Sequence, residues 1–582
     1  MTKTGPNRRE LAQTFVVVWF VFSLYSLVSV PTPGVNEPHY LTKARSYQDP
    51  DFAAADFFLQ SGDAHAVFFA LTGPFTVVLP FATVAVLGRL LSLALLATGW
   101  VNLGRRFALS PMALFLSAVT FCGVAMTGNF SGEWVIGGFE SKVPAYGLAL
   151  LACARWVDAS ERLSGTGFVL CGVWTGLSIA IHPVVGMWFA IGICLAEVLL
   201  LPQHRRHPAW QRRWLLCGTV FCLATVLCSL PGLIPALQLT LLAGVETAVQ
   251  DKANRIQVFG RLAHHLDAAS FPLRGWIHAA TLIVVTTLAA IVARRLHHRA
   301  KQPNKGPVAC PSAMAQQRMA CLLLVAVVIA LVGAAVGWHS QPYPEIDQWE
   351  FKARWLRYYP FRFVDALLPV TCAFFVATVL DCLLTGSPDP TRGNRTARLS
   401  TRGNAILLVT GTLAVAIAAA RIRPAAPSGY TAWKYWHWKA ACRWIRDNTD
   451  REAVFLTPRE SFGFKWFAER AEFVCVKDCP QDAAGIVAWN QRLWRQYRWS
   501  RDSYQNDARF DHADLERLQQ QLGVTHVITR RLSPFADEPV YANEVWRIYA
   551  VDSPAVATDD SAGTPAVEAD GASGEDVLPE AD

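Results

Sequence analysis

The 582-residue sequence is 52% apolar and only 17% charged, with 21 Trp and 32 Phe. Soluble globular chains carry roughly a quarter charged residues, and about 20 consecutive apolar residues span a bilayer; the many such runs here exclude a purely soluble protein. The net charge of +8 is a balance between basic connections and a C-terminal stretch, Val551 to Asp582, with nine acids and no Lys or Arg; no basic–aromatic pattern points to nucleic acid.

Lys3, Arg8 and Arg9 precede the first apolar segment, 14–30. Its length and the poor cleavage site at Val30-Pro31 make it an uncleaved anchor. Ten more segments follow at 78–103, 109–127, 144–159, 166–182, 183–201, 214–234, 276–294, 320–338, 361–384 and 404–421. The segments meeting at His182-Pro183 are read as two elements. As one kinked element they would move the basic 294–318 connection to the opposite side. With the N-terminus cytoplasmic, Arg105, Arg106, Arg205, Arg206, Arg212, Arg213, Arg294, Arg295, Arg392 and Arg395 all share its side. This follows the positive-inside rule. The expected fold class is mainly α: a polytopic transmembrane bundle of about eleven spans with a small extracytoplasmic α/β C-terminal domain.

The domain limits expected are 1–429 for the membrane domain, 430–551 for the soluble domain and 552–582 for a disordered acidic tail. Within the soluble part, Trp433 to Asp447 and Leu515 to Leu522 are helix candidates. Strand candidates are Ala453–Leu456, Phe473–Val476, Val524–Ile528 and Val545–Tyr549, and their alternation with helices suggests an α/β unit. Eleven of the 14 Cys lie before the last apolar segment ends, where Cys serves as a small hydrophobe. Cys475 and Cys479 are either a disulfide or free thiols.

The expected external connections, 31–77, 128–143, 235–275 and 339–360, hold most of the aromatic, acidic and His residues. Function gathers on loops set over a rigid scaffold, so this is the expected working face. In the first, Glu37 follows the apolar segment by seven residues. A carboxylate at the membrane surface, partly desolvated, takes a raised pKa and accepts a proton from a hydroxyl. Asp56 and Asp63 are further candidate bases, and His65 a candidate for a sugar hydroxyl. Asp49-Pro50-Asp51 is a two-carboxylate pattern for a divalent cation, with no further ligands nearby to complete it.

In the second connection, Glu133, Trp134, Glu140 and Lys142 crowd among four glycines; Trp stacks on sugar faces, and Gly permits unusual turns. Arg261 and His265, four apart, share a helical face suited to phosphate, or to anionic lipid. In the run from Arg354 to Asp365, Arg362 and Asp365 stand at the rim of hydrocarbon, where charge is paired or functional. They are spaced to pair with each other, which leaves Arg357 for a ligand anion.

Taken together, these parts resemble the GT-C superfamily of polytopic glycosyltransferases from about residue 10 to 550. The residues that carry the resemblance are Asn36-Glu37-Pro38-His39-Tyr40 and Tyr358-Tyr359-Pro360-Phe361-Arg362, with Gly132-Glu133-Trp134 and His182-Pro183-Val184-Val185-Gly186. Many members carry an Asp or two acids in the first loop, where this chain has a single Glu followed by Pro. The resemblance implies a bacterial inner-membrane enzyme that moves a sugar from a polyprenyl-phosphate donor to a glycan, lipid or protein acceptor outside the cytoplasm. Glu37 would be the base. Arg261, His265, Arg357 and Arg362 would hold the leaving phosphate, and Glu133 or Trp134 the sugar. The other reading is a transporter, flippase or non-catalytic assembly protein for lipid-linked glycans. That reading predicts ionisable residues in mid-span, and few exist beyond Arg89.

Overall fold

A computed structural model describes residues 8–205, 209–299, 311–343, 345–385, 401–424, 426–427, 429–507, 510–530 and 536–551. The expected acidic tail lies outside the described residues. The chain opens with α1 (Arg8–Ser29), then α2 (Glu37–Gln48) and α3 (Ala66–Val78). Next come α4 (Phe81–Arg106), α5 (Pro111–Ala125), α6 (Lys142–Arg162), α7 (Gly165–Ile181) and α8 (Pro183–Leu199). A single turn, α9 (Leu201–His204), leads to α10 (Trp210–Leu239). The short helices α11 (Thr247–Arg255) and α12 (Ala263–Leu266) are joined by a wide-turned π stretch, Ile256–Arg261. They are followed by α13 (Leu273–Arg299), α14 (Pro311–Gly337), α15 (Trp349–Leu356), α16 (Arg362–Thr385) and α17 (Thr401–Ile422).

Each apolar segment read from the sequence falls on one of these helices. Among the described residues, α1, α4, α10, α13, α14, α16 and α17 are long and apolar enough to cross a membrane, and α3, α5, α7 and α8 are shorter apolar helices. The protein is a multi-pass membrane protein. The first connection is not the open loop expected, because α2 and α3 fill much of it: Pro38 enters the first turn of α2 with Glu37, a position proline tolerates well.

His182 separates α7 from α8 in an extended conformation, and its Nδ1 accepts a hydrogen bond from Val185 N at 3.3 Å. A Cβ on Gly186 would stand 2.2 Å from Ile179 N. In one straight helix, residues seven apart are separated by about 10 Å. The chain therefore doubles back here into two packed helices. Gly99 and Gly147 do similar work between α4 and α6, where a Cβ on Gly99 would meet the Gly147 carbonyl at 2.6 Å; small residues let membrane helices approach. The bundle core is aromatic, with Trp100 packed on Phe22, Phe121 and Phe374.

The C-terminal unit comprises α18 (Ala432–Asn448), β1 (Val454–Leu456), α19 (Phe464–Ala468), β2 (Ala471–Glu472), α20 (Ala483–Asp507), α21 (His512–Leu522), β3 (His526–Arg530), β4 (Tyr541–Ala542) and β5 (Trp546–Ala550). The sheet order is β2-β1-β3-β5-β4, with β1 parallel to β2 and β3, and β5 antiparallel to β3 and β4. Side chains alternate across the sheet. Phe455, Ile528 and Ile548 pack towards α18, whereas Leu456, Val527 and Tyr549 pack towards α20 and α21. The strand expected at Phe473–Val476 lies instead at Ala471–Glu472, and the 25-residue α20 was not anticipated. Cys475 and Cys479 are both buried free thiols, which decides against the disulfide.

The unit caps one end of the bundle. Trp466 packs among Leu41, Phe68 and Phe139, Ala471 joins Phe52, Phe58 and Leu59, and Ile256 joins the core of α20. Parts of the connections 31–77, 128–141 and 240–272 thereby lie against the cap.

Candidate active site

The 128–141 connection folds around one carboxylate. Asp365, in the first turn of α16, accepts hydrogen bonds from Phe130 N, Ser131 N, Ser131 Oγ and Glu133 N at 2.6–3.3 Å. Gly128 and Gly132 take φ of +86° and +71°, conformations that cost glycine little. A Cβ on Gly132 would lie 2.9 Å from the His265 ring, and His265 Nδ1 donates to Ser131 O at 2.6 Å. Burial first, then neighbouring His264, pushes the His265 pKa down to about 4. It is therefore a neutral hydrogen-bonding group, with its Nδ1 already committed to the loop.

The loop delivers Glu133 and Glu140 beside Lys142 and Arg362. Glu133 pairs with Arg362 Nε at 2.7 Å and Lys142 Nζ at 3.2 Å, and accepts from Tyr146 Oη at 3.1 Å. Burial alone would raise the Glu133 pKa, but the charges of Arg362 and Lys142 outweigh it and hold the carboxyl below its ordinary value. Arg362 thus pairs with Glu133, so the alternative i,i+3 pair with Asp365 does not form. Lys142 Nζ also sits 3.7 Å from the Trp134 ring centre. Glu140 Oε1 accepts from Trp134 Nε1 at 2.8 Å, and its Oε2 accepts from Asn36 Nδ2 at 2.9 Å, with Lys142 at 3.9 Å.

The cap contributes Lys477, whose Nζ donates to Asn36 Oδ1 at 2.6 Å. Arg261 Nη2 donates to the Lys477 carbonyl at 3.1 Å, and the guanidinium stacks on Trp489 at 5.8 Å. Burial and then the charge of Arg261 push the Lys477 pKa below its ordinary value. Both cations are half-buried, and neither has an ion-pair partner among the described residues. Arg261 Nε is sealed from solvent without a hydrogen-bond acceptor. The chamber is this cluster of side chains: four cations, Lys142, Arg261, Arg362 and Lys477, set against the carboxylates Glu133 and Glu140. His65 lies on its edge, 5.5 Å from the Tyr40 ring and 4.8 Å from that of His182. Burial, the leading cause, pushes its pKa down to about 3.

The three acids expected as bases stand elsewhere. Glu37 is fully buried: Arg89 Nε and Nη2 reach its oxygens at 2.6 and 2.7 Å, and Gly34 N and Phe139 N donate to the same carboxylate. It is not a loop acid at the surface, and Arg89, inside α4, is its counter-ion. Asp56 is buried under the cap, accepting from Glu472 N and Leu59 N, with Lys465 at 3.4 Å. Asp63 pairs with Lys43 at 3.3 Å. Arg357 stays outside the chamber, bonded to the neutral acceptors Asn254 Oδ1 and Tyr358 Oη, each at 3.1 Å. Asp49 pairs with Arg45 at 3.2 Å.

Sequence reading missed Lys477, Asn36, Tyr146 and the role of Arg89. Asn36 was visible beside Glu37 in the opening motif. Lys477 carried no signal, because only the docking of the cap brings it to the bundle.

Among the described residues, one cluster offers metal-ligand chemistry: Glu472, Cys475 and Asp478. Lys465 Nζ already lies between its acids, 3.1 Å from Glu472 and 2.7 Å from Asp478. Glu472 also accepts from Thr457 and Ser461, and Asp478 is bonded to His39 at 2.8 Å. The ligand atoms of the three residues lie within 4.8 Å of one another, close enough to hold an ion, and a divalent cation there would compete with the Lys465 ammonium for Glu472 and Asp478.

Fold and site together define a polytopic helical membrane protein whose α/β cap closes over a cation-rich chamber. A family model described as a domain of unknown function (DUF6798) matches residues 437–496. None of the curated proteins matches. Among solved structures, the chain is similar to the oligosaccharyltransferase of Archaeoglobus fulgidus, a complex with Zn and sulfate. The identity is 13% over 89% of this chain and 68% of that one, with a TM-score of 0.48. It is also similar to the arabinofuranosyltransferase AftD from Mycobacteria, with 15% identity over 95% of this chain and 40% of that one and a TM-score of 0.45. A third likeness is to ArnT from Cupriavidus metallidurans bound to undecaprenyl phosphate, with 13% identity over 93% and 97% and a TM-score of 0.32. At these values, what the chain does has to be read from its own side chains.

Proposed function

We propose that the protein is a membrane glycosyltransferase that moves a sugar from a polyprenyl-phosphate donor to an acceptor on the extracytoplasmic side of a bacterial inner membrane. Its N-terminus is cytoplasmic and its cap external. The observation that carries this is the Arg261–Lys477 pair: two adjacent cations, drawn partly out of water, with no ion-pair partner among the described residues. Uncompensated charge of this kind is costly, and an anionic ligand relieves the cost. A lipid phosphate leaving the anomeric carbon is such an anion, and preorganised cations stabilise the charge that develops on it.

The other roles follow from the hydrogen bonds. Glu133 is bound to two cations and is a poor proton acceptor; it holds Lys142 and Arg362 in place. Glu140 accepts only from neutral N–H groups at hydrogen-bond distance, so it takes the base role in place of Glu37. The acceptor hydroxyl loses its proton to Glu140 as its oxygen bonds to the anomeric carbon. The bond from that carbon to the phosphate oxygen breaks, and the phosphate departs with the electron pair onto Arg261 and Lys477. Trp134 has Lys142 on one face and offers the other to the sugar.

The test is transfer from synthetic polyprenyl-phosphate sugars by the full chain in nanodiscs, read as release of polyprenyl phosphate. Glu140→Gln is expected to lower turnover by about 10²–10⁴-fold, the usual worth of a positioned base. Turnover within twofold of the parent would overturn the assignment of Glu140. Failure of Arg261→Gln and Lys477→Gln to weaken donor binding would overturn the site.

A further inference from the structure

A cavity lies away from the candidate site, where α3 ends at Val78 and the chain turns through Leu79 and Pro80 into α4. Its volume is about 390 Å³ and its walls include Arg45, Arg446, Glu469, Trp466, Phe81 and Val78. None of the chamber residues lines it. Phe81 and Trp466 stack at 5.1 Å and join the bundle to the cap there.

The polar groups in its wall are of both signs. Arg45 donates through Nε to Asp49 and through Nη1 to the Thr76 carbonyl, while its Nη2 has no partner among the described residues. Arg446 uses Nε on its neighbour Asp447, leaving both Nη groups without partners there. Glu469 is exposed and forms no ion pair among the described residues. Below this rim the surface is apolar. Leu71, Phe75 and Val78 recur on one face of α3, and Leu87 and Leu91 on one face of α4, all between 48% and 73% exposed.

We propose that this cavity is a phospholipid site for a zwitterionic headgroup, one carrying both a phosphate and an ammonium. Guanidinium forks bind phosphate oxygens in two-point contacts, and Arg45 and Arg446 each keep N–H groups for that purpose. Glu469 supplies the matching carboxylate for the ammonium. An anionic phosphoglycerol headgroup would leave Glu469 facing no cation and add its own charge beside it. The volume falls within the roughly 300–1,000 Å³ of small-molecule sites. The apolar faces below the rim take acyl chains, placing the cavity at the boundary of hydrocarbon and headgroup. A lipid seated there would lie against both bundle and cap.

The test uses the full chain, purified in mild detergent and mixed with phosphatidylethanolamine or phosphatidylglycerol, with bound lipid counted by native mass spectrometry. Phosphatidylethanolamine is expected to be retained about threefold better, a ratio in keeping with one exposed charge pair. Glu469→Gln should erase that preference, and Arg446→Gln should reduce retention of both lipids. Both side chains are surface groups, so neither change disturbs the core. Equal or better retention of phosphatidylglycerol by the parent protein would overturn the proposal. So would an unchanged ratio in Glu469→Gln, or unchanged retention in Arg446→Gln.

Discussion

Two charged pairs at the capped end of the bundle are built in opposite ways. Glu37 and Arg89 carry opposite signs, lie wholly out of water and satisfy each other at 2.6 and 2.7 Å. Arg261 and Lys477 carry the same sign, are half-buried, and are joined only through a backbone carbonyl at 3.1 Å. The first pair is complete as it stands. It ties the turn after α1 to α4, because Arg89 also donates to the carbonyls of Val30 and Pro31. The second is incomplete, and incompleteness is what a binding site requires. A buried charge by itself therefore says little about function; whether its counter-charge is supplied from within decides the matter.

This contrast breaks most visibly in the first pair. Removing one partner of a buried ion pair leaves the other unpaired and costs roughly 3–5 kcal/mol. Glu37→Gln or Arg89→Met is therefore expected to lower thermal stability sharply. The double change Glu37→Leu with Arg89→Met, which removes both charges, should recover much of the loss. A stable but inactive Glu37→Gln protein would instead return Glu37 to the catalytic role that its sequence position suggested.

The second pair should behave in the reverse sense. Arg261→Gln and Lys477→Gln relieve like-charge repulsion, so thermal stability should hold or rise slightly. Donor binding should weaken by about 1.5–3 kcal/mol for each lost charged hydrogen bond, measured as a higher Kd for a polyprenyl-phosphate analogue. Loss of stability with intact binding would make the pair structural.

Much of this architecture was legible in the sequence. Apolar length marked the bundle helices, and the composition change near Tyr430 marked the cap. The crowding of Glu133, Trp134, Glu140 and Lys142 among glycines marked the loop that forms the chamber. The partnerships were not legible, because ion pairs are chosen by three-dimensional packing. Glu37 finds Arg89 across 52 residues, and Lys477 finds Asn36 across 441. A short spacing misled in the opposite direction: Arg362 and Asp365 are placed to pair, yet one turns to Glu133 and the other to the backbone of the 130–133 segment. The helix α20 hid behind polar content. Its buried Ile486, Trp489 and Leu493 are spaced three and four apart, a helical pattern diluted by Arg and Gln between them.

A smaller effect tests how far the 128–141 loop depends on its anchor. Asp365→Asn keeps the shape but loses the charge and one acceptor for the N–H groups of 130, 131 and 133. A cost of about 1–3 kcal/mol follows for the donors left unsatisfied. Because the loop carries both Glu133 and Glu140, turnover should fall more than donor binding does. Equal losses in both would mean that Asp365 supports the whole chamber rather than the loop.

The smallest expected effect concerns pH at the edge of the chamber. His65 is buried, and its folded pKa is pushed down to about 3, chiefly by desolvation. The unfolded chain has the ordinary value near 6.5. Between these values the unfolded state binds a proton that the folded state refuses, so the contribution of His65 is intact above about pH 6.5 and is lost as the pH falls towards 3. One such group changes stability by at most about 1.4 kcal/mol per pH unit. Thermal melts from pH 7 to 4 should therefore show a shallower decline for His65→Gln than for the parent chain. Parallel curves would mean that His65 takes up a proton in the folded protein, and it would then belong with the cations of the chamber rather than with its neutral edge.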